Sequence, residues 1–200
     1  MTNNGLLFVV SAPAGCGKDT ILNELFKKTD ACGYAVSATT RAPRDGEING
    51  VHYHFLTREE FKTKIERGDV LEYTEYCGNY YGTLKKSVDE LLSQGKDAVL
   101  KIEVEGAMNI KKQFPKACLV FILPPSREVL ENRLRSRGTE TEDKIRERTK
   151  QAFTELSYAE NYDYLIVNDD LDTAVDDMLA AFRAEKLRRE RCGYLLERFK

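Results

Sequence analysis

The chain has 200 residues, 42% of them hydrophobic and 32% charged, with 31 basic and 33 acidic side chains and a formal net charge of −2. That length suffices for one good core with inserted subdomains, and the composition is ordinary for an α/β protein. The near-neutral balance argues against a general nucleic-acid or membrane-surface binder, and no apolar run is long enough to span a bilayer, so small molecules are the expected ligands.

The first strand-like run, residues 6–10, leads into the turn SAPAGCGKDT at 11–20 and then a helical pattern at 21–26. A strand, a glycine-bearing turn and a helix start allow backbone N–H groups to point inward and hold a phosphate. In this phosphate-binding turn Gly15 and Gly17 permit close approach, and Lys18 adds a point charge. The match to GxxxxGK[ST] is incomplete at both ends: Ala12 stands where the first Gly belongs, and Asp19 where the hydroxyl residue belongs. Further strand-like runs follow at 35–37, Val70–Tyr76, 98–104, Cys118–Leu123 and Tyr164–Val167. Thr57 with Glu60 and Thr139 with Glu142 fit capping boxes, Ser126 fits an N-cap for a helix to about Arg137, and a helix from the second box is expected to reach about Tyr158. A long amphipathic helix is expected from Asp172 into the 190s, with Arg188, Arg189 and Arg191 either solvated or at a dimer contact.

This alternation predicts an α/β fold, a P-loop NTPase-type parallel sheet flanked by helices. The β-rich stretch 37–84 reads as an inserted lobe, 127–158 as a helical lid, and 1–36, 85–126 and 159–200 as the core. Residues 1–5 carry no secretory pattern, so the cytoplasm is the expected location. The five scattered cysteines are expected as free thiols, with Cys16 in the turn either open to oxidants or merely filling the place of a small residue.

Five stretches then fall in a recognisable order: SAPAGCGKDT at 11–20, SATTRAPRDGE at 37–47, GNYYGT at 78–83, RGTETE at 137–142 and IVNDD at 166–170. Together they resemble the guanylate kinases, P-loop enzymes that move the γ-phosphate of ATP onto GMP. The resemblance spans nearly the whole chain, and TTRxPRxGExxGxxYxF at 39–55 is its most specific part. It implies transfer to GMP and dGMP with Mg²⁺, and a lobe and lid that close over two nucleotides. It places Ser37, Arg41, Arg44, Tyr53 and Tyr81 around the GMP phosphate, Glu72 and Thr83 at the base, and Glu103 among the GMP-binding residues. On the ATP side it places Ala14, Gly15, Cys16, Gly17, Lys18, Asp19 and Thr20 in the turn, with Asn168 at adenine. Lys18, Arg137 and Arg148 are the implied catalytic cations, while Arg133, Arg135 and Arg146 are expected to be solvated or paired.

The residue chemistry agrees with these assignments. Paired guanidinium forks suit a phosphate dianion. A carboxylate at Glu72 accepts from guanine N1–H and the 2-amino group, and a hydroxyl at Thr83 donates to O6. Adenine would leave that carboxylate unpaired.

The family's DIDxQG strand end is here Lys101-Ile102-Glu103-Val104-Glu105-Gly106. An ammonium thus stands at a carboxylate position while Asp19 stands at a hydroxyl position, which predicts a traded pair, Asp19 with Lys101, at the metal site. The metal ligand is left open between Asp19 and Thr20, with Mg²⁺ held mainly through phosphates. A catalytically inactive phosphopeptide-binding module of the same family is the alternative function. A kinase for a phosphorylated sugar is the second, opposed by the presence of Glu72 and Thr83. No nucleic acid or membrane partner is expected, and the chain is expected to be a monomer or homodimer.

Overall fold

The computed structural model describes residues 5–76, 78–135 and 142–200. The chain runs β1 (Leu7–Ser11), α1 (Lys18–Lys28), β2 (Cys32–Tyr34), β3 (Ser37–Thr39), β4 (His54–Phe55), α2 (Arg58–Glu66), β5 (Val70–Tyr76), β6 (Asn79–Leu84) and α3 (Lys85–Ser93). It continues through β7 (Asp97–Lys101), α4 (Val104–Gln113), β8 (Cys118–Leu123), α5 (Arg127–Arg135), α6 (Glu142–Leu156), β9 (Tyr164–Val167), α7 (Leu171–Leu187) and the short α8 (Arg189–Cys192). These elements divide between two units.

The first unit takes the chain up to Ser11 and the stretch Asp30–Leu119. Here β7 is central, parallel to β1 and to β2, with Val10 opposite Lys101 and Tyr34 opposite Val99. Both β1 and β7 are buried almost throughout, as parallel strands covered on two faces must be. The buried Asp97 carboxylate is satisfied by the Leu6 N–H, which donates to Oδ1 at 2.9 Å.

Two strand expectations need correction. The run 98–104 divides: β7 ends at Lys101, where its pairing with β1 runs out, and α4 opens at Val104 with Glu103 as N-cap. The run 35–37 divides as well. Ala35 still donates to the Val99 carbonyl at 3.0 Å, but Ser37 already belongs to β3 in a different sheet.

That second sheet is ordered β4-β3-β6-β5, with β6 antiparallel to both β3 and β5. Its core is Phe61, Ala38 and Leu84, packed by Leu56, Ile65, Val70 and Tyr80. The capping box expected from Thr57 and Glu60 is present, with Thr57 N donating to Glu60 Oε2 at 2.8 Å and Glu60 N to Thr57 Oγ1 at 3.1 Å. It fixes the start of α2, which delivers Phe61 to the core; burying a side chain of that size contributes about 1.5–3 kcal/mol. Pairing slips between Val70 and Glu72, and at that irregularity the consecutive residues Leu71 and Glu72 are both buried.

The second unit takes Ala12–Thr29 and Val120–Lys200. From Val120 on, β8 runs parallel to β9, and α1 packs along α7, where Lys28 reaches Asp176 at 3.1 Å. Ser126 caps α5 by accepting from Val129 N at 3.2 Å, and the Arg127 guanidinium lies 4.4 Å from the Phe153 ring centroid, joining α5 to α6. A 3₁₀ turn, Ser157–Asn161, follows α6. Asp170 caps α7, accepting from Thr173 N at 2.9 Å.

The long C-terminal helix stops earlier than expected. At Arg188 the backbone turns extended, with φ −59° and ψ 134°. The cause is Glu185, a carboxylate only 1% exposed. It accepts from Tyr164 O–H at 3.0 Å, from Arg188 at 3.2 Å and from Arg191 Nη2 at 2.6 Å. An unpaired buried carboxylate costs several kcal/mol. The chain breaks there and returns Arg191 to it, so Arg188 and Arg191 are both paired within the unit, Arg191 half-buried and Arg188 still exposed.

Among the described residues no helix is long and apolar enough to cross a membrane. Cys16, Cys32, Cys118 and Cys192 are free thiols.

Candidate active site

Within the first unit, β5 and β6 place Glu72 opposite Thr83. Glu72 is 6% exposed, and Thr83 Oγ1 donates to its Oε1 at 2.8 Å. Its other oxygen faces the first turn of α4, where a Cβ on Gly106 would stand 2.7 Å from Oε2. A side chain at that position would have to push the Glu72 carboxylate aside. Burial pushes the Glu72 carboxyl above its ordinary value; Thr83 opposes this by hydrogen bonding, and the nearby Glu103 charge adds to the rise. A buried carboxylate beside a hydroxyl can accept from a pair of donors.

A second cluster lies in the same unit. Arg41 Nη2 donates to Glu47 Oε1 at 2.8 Å, and the Arg44 backbone N–H donates to Glu47 Oε2 at 2.7 Å. Glu47 thereby clamps the loop that carries both arginines. These bonds pull its carboxyl down to about 2, with Arg41 the largest cause and the Arg44 N–H next. The Arg41 guanidinium carbon lies 5.6 Å from the Tyr53 ring centroid, and Tyr53 and Tyr81 pack edge to face at 6.1 Å. Tyr34 and Ser37 hydroxyls are 3.3 Å apart. The half-buried Arg41, the two tyrosines and the buried Ser37 form a cationic, hydroxyl-lined corner, with Arg44 exposed at its edge.

The second unit carries the phosphate-binding turn. Gly15 and Gly17 have φ of 88° and 79°, the left-handed region that disfavours any other residue. Gly17 is the N-cap of α1, and a Cβ there would meet Asn168 Nδ2 at 2.4 Å. That Nδ2 donates to the Cys16 carbonyl at 2.8 Å, and Arg133 donates to the Asn168 carbonyl at 3.0 Å, so Asn168 and Arg133 hold the turn from β9 and α5. Ala14 is exposed on the turn, and Lys18, Asp19 and Thr20 form the first turn of α1, where the helix dipole favours an anion. Cys16 is buried and its thiol is pushed up to about 12, chiefly by burial, so it is a packing residue and not an exposed redox group.

Arg148 lies half-buried on α6. Arg137 and the Thr139 end of the second capping box lie outside the described residues. A divalent cation that arrives on nucleotide phosphates fits this donor set. Asp19 and Thr20 are exposed beside Lys18, and no group of three or more His, Cys, Asp or Glu able to hold a metal occurs among the described residues.

Three residues emerge that the sequence pattern did not assign. Glu47 had a signal, since Arg41, Arg44 and Glu47 recur every third residue. Gly106 and Tyr34 had none, because their roles depend on α4 meeting β5 and on β2 lying beside the loop after β3.

Comparison with known proteins identifies the relatives. The Guanylate kinase family model matches residues 4–185. The guanylate kinase of Desulfitobacterium hafniense is 45% identical over 195 residues, covering 98% of each chain. That of Carboxydothermus hydrogenoformans is 48% identical over 192 residues, covering 96% of this chain and 94% of the relative. Among solved structures, the crystal structure of guanylate kinase from Anaplasma phagocytophilum superposes with a TM-score of 0.78 at 33% identity, covering 98% of this chain and 95% of that one.

Proposed function

The chain belongs to the guanylate kinase family and is an ATP:GMP phosphotransferase, and we propose that its two residue clusters divide the substrates between them. The acceptor nucleotide falls to the first unit. Glu72 accepts from guanine N1–H and the 2-amino group, Thr83 turns toward O6 the one hydroxyl proton that it gives to Glu72 in the free chain, and Glu103 lies beside them. Ser37, Arg41, Arg44, Tyr53 and Tyr81 take the 5′-phosphate. Base and phosphate carry recognition in this scheme, so dGMP is accepted as well as GMP.

ATP falls to the second unit, with its phosphates on the turn 14–20 and its adenine near Asn168. Lys18, Arg137 and Arg148 are the proposed catalytic cations. No covalent intermediate is needed. These side chains hold the reacting phosphates in line and stabilise the charge that develops between them. Members of this family use ATP with a divalent metal; Mg²⁺ is the proposed ion, carried mainly by phosphates, with Asp19 or Thr20 as the candidate protein contact. When bound it neutralises phosphate charge. The cytoplasm is the proposed location.

The observation that carries this reading is the buried Glu72–Thr83 pair, which a phosphopeptide-binding module would not require. A coupled ADP-release assay with GMP, dGMP, AMP and ribose 5-phosphate tests it. Rapid turnover with the two guanine nucleotides alone is expected. Equal turnover with AMP, or none with GMP, would overturn it.

A further inference from the structure

Lys101 is the strongest departure in the sequence, and the acceptor cluster described above does not include it. It ends β7, is half-buried, and lies in the same unit as Ser37, Arg41 and Tyr53. Its Nζ is 5.4 Å from the centroid of the Tyr34 ring. The hydroxyl of that ring is 3.3 Å from Ser37 Oγ, a proposed phosphate contact. The Tyr34 face therefore holds the ammonium at the phosphate end of the cluster.

We propose that Lys101 binds the acceptor's 5′-phosphate, as a third cation beside Arg41 and Arg44, and so sets how strongly the pocket prefers a nucleotide to its nucleoside. This rests on the acceptor site proposed above. Three features carry it. β7 and the loop after β3 bring cations from separate parts of the chain toward one tyrosine. Of the charges acting on the Tyr53 hydroxyl, which burial pushes up, Lys101 is the strongest opposing one and Arg41 a weaker one. An ammonium is a compact charge with three donors and no acceptor, so it complements phosphate oxygens without the planar demand of a guanidinium.

The test is calorimetric titration of the full chain with GMP and, separately, with guanosine, without ATP and with EDTA present, so that no metal-dependent step contributes. Lys101→Met is expected to weaken GMP about tenfold or more, the usual scale for a charged hydrogen-bond partner, and to leave guanosine unchanged. Lys101→Gln, which keeps a donor on a chain of similar reach, is expected to show the same loss. Lys101→Arg is expected to restore most of it. In steady state the GMP KM rises while the ATP KM does not.

GMP binding within twofold of wild type in Lys101→Met and Lys101→Gln would overturn the proposal, as would an equal loss of guanosine. It would also be overturned if these variants lost only turnover and Asp19→Ser restored it, since that places Lys101 with the donor and metal side. Arg41→Met in the same titration separates the two levels. If it leaves GMP binding intact, the acceptor-site reading itself fails. If it weakens GMP while the Lys101 variants do not, only the role of Lys101 fails.

Discussion

Replacing Glu72 by Gln changes one atom of the base-reading wall and little else. The carboxylate is buried, fixed by Thr83 at 2.8 Å and hemmed in by Gly106. Gln cannot withdraw, and its amide must present a donor either to Thr83 or to guanine. Two hydrogen bonds to a charged acceptor are at stake, each worth about 1.5–3 kcal/mol. Because the amide oxygen can still accept one of them, the expected loss is near the lower end of the sum, about 3 kcal/mol, or roughly two orders of magnitude in kcat/KM for GMP. AMP has neither donor, so its slow turnover should hardly change, and the GMP-to-AMP ratio collapses. Folding should not suffer. Burial already disfavours the Glu72 charge, so the midpoint of thermal unfolding should stay level or rise. Steady-state coupled assays with GMP and AMP, with melting curves of both proteins, measure all of this. An unchanged GMP-to-AMP ratio in a folded Glu72→Gln protein would refute the reasoning.

Arg41→Met and Arg44→Met should each raise the GMP KM by about one to two orders of magnitude and leave the ATP KM unchanged, as steady-state kinetics will show. Arg137→Met should lower kcat with little change in either KM, because its charge is assigned to the moving phosphate; a change in KM alone would contradict that assignment. Gly106→Ala inserts a methyl 2.7 Å from Glu72 Oε2. It should raise the GMP KM severalfold while circular dichroism stays native. Guanosine, which has no phosphate to titrate, should bind more weakly as pH falls. Burial raises the Glu72 carboxyl above its ordinary value, so its accepting charge is lost at a higher pH than that of an exposed glutamate. Calorimetry from pH 7 to pH 4 follows that loss, and Glu72→Gln should abolish its pH dependence.

Much of the fold was legible because its signals are local. The strand-like runs Val70–Tyr76, Cys118–Leu123 and Tyr164–Val167 became strands with those bounds, and Thr57 and Ser126 cap helices as their spacing implied. What failed depended on partners distant in sequence. The run 98–104 continues past Lys101, but Lys101, opposite Val10, is the last residue of β7 to pair with β1, and α4 opens at Val104. The C-terminal helix kept its amphipathic pattern, yet Glu185 is buried and draws Arg191 back to it across a break at Arg188. In the site, Arg41, Arg44, Glu72 and Thr83 were readable from motif and residue chemistry. The clamp from Glu47 lies within one short window, whereas the clearance at Gly106 and the ring beneath Lys101 are set by which elements pack together, and no window of sequence holds both members of those two contacts.

The central claim is that the buried Glu72–Thr83 pair reads guanine while the Arg41 loop takes its phosphate. A crystal structure of the chain with GMP tests this most directly. The account predicts guanine N1 and the 2-amino nitrogen within hydrogen-bond distance of the Glu72 carboxylate, about 2.7–3.2 Å, O6 on Thr83, and the phosphate against Arg41, Arg44, Tyr53 and Tyr81. GMP bound with its base away from Glu72, or with its phosphate on the turn before α1, would contradict it.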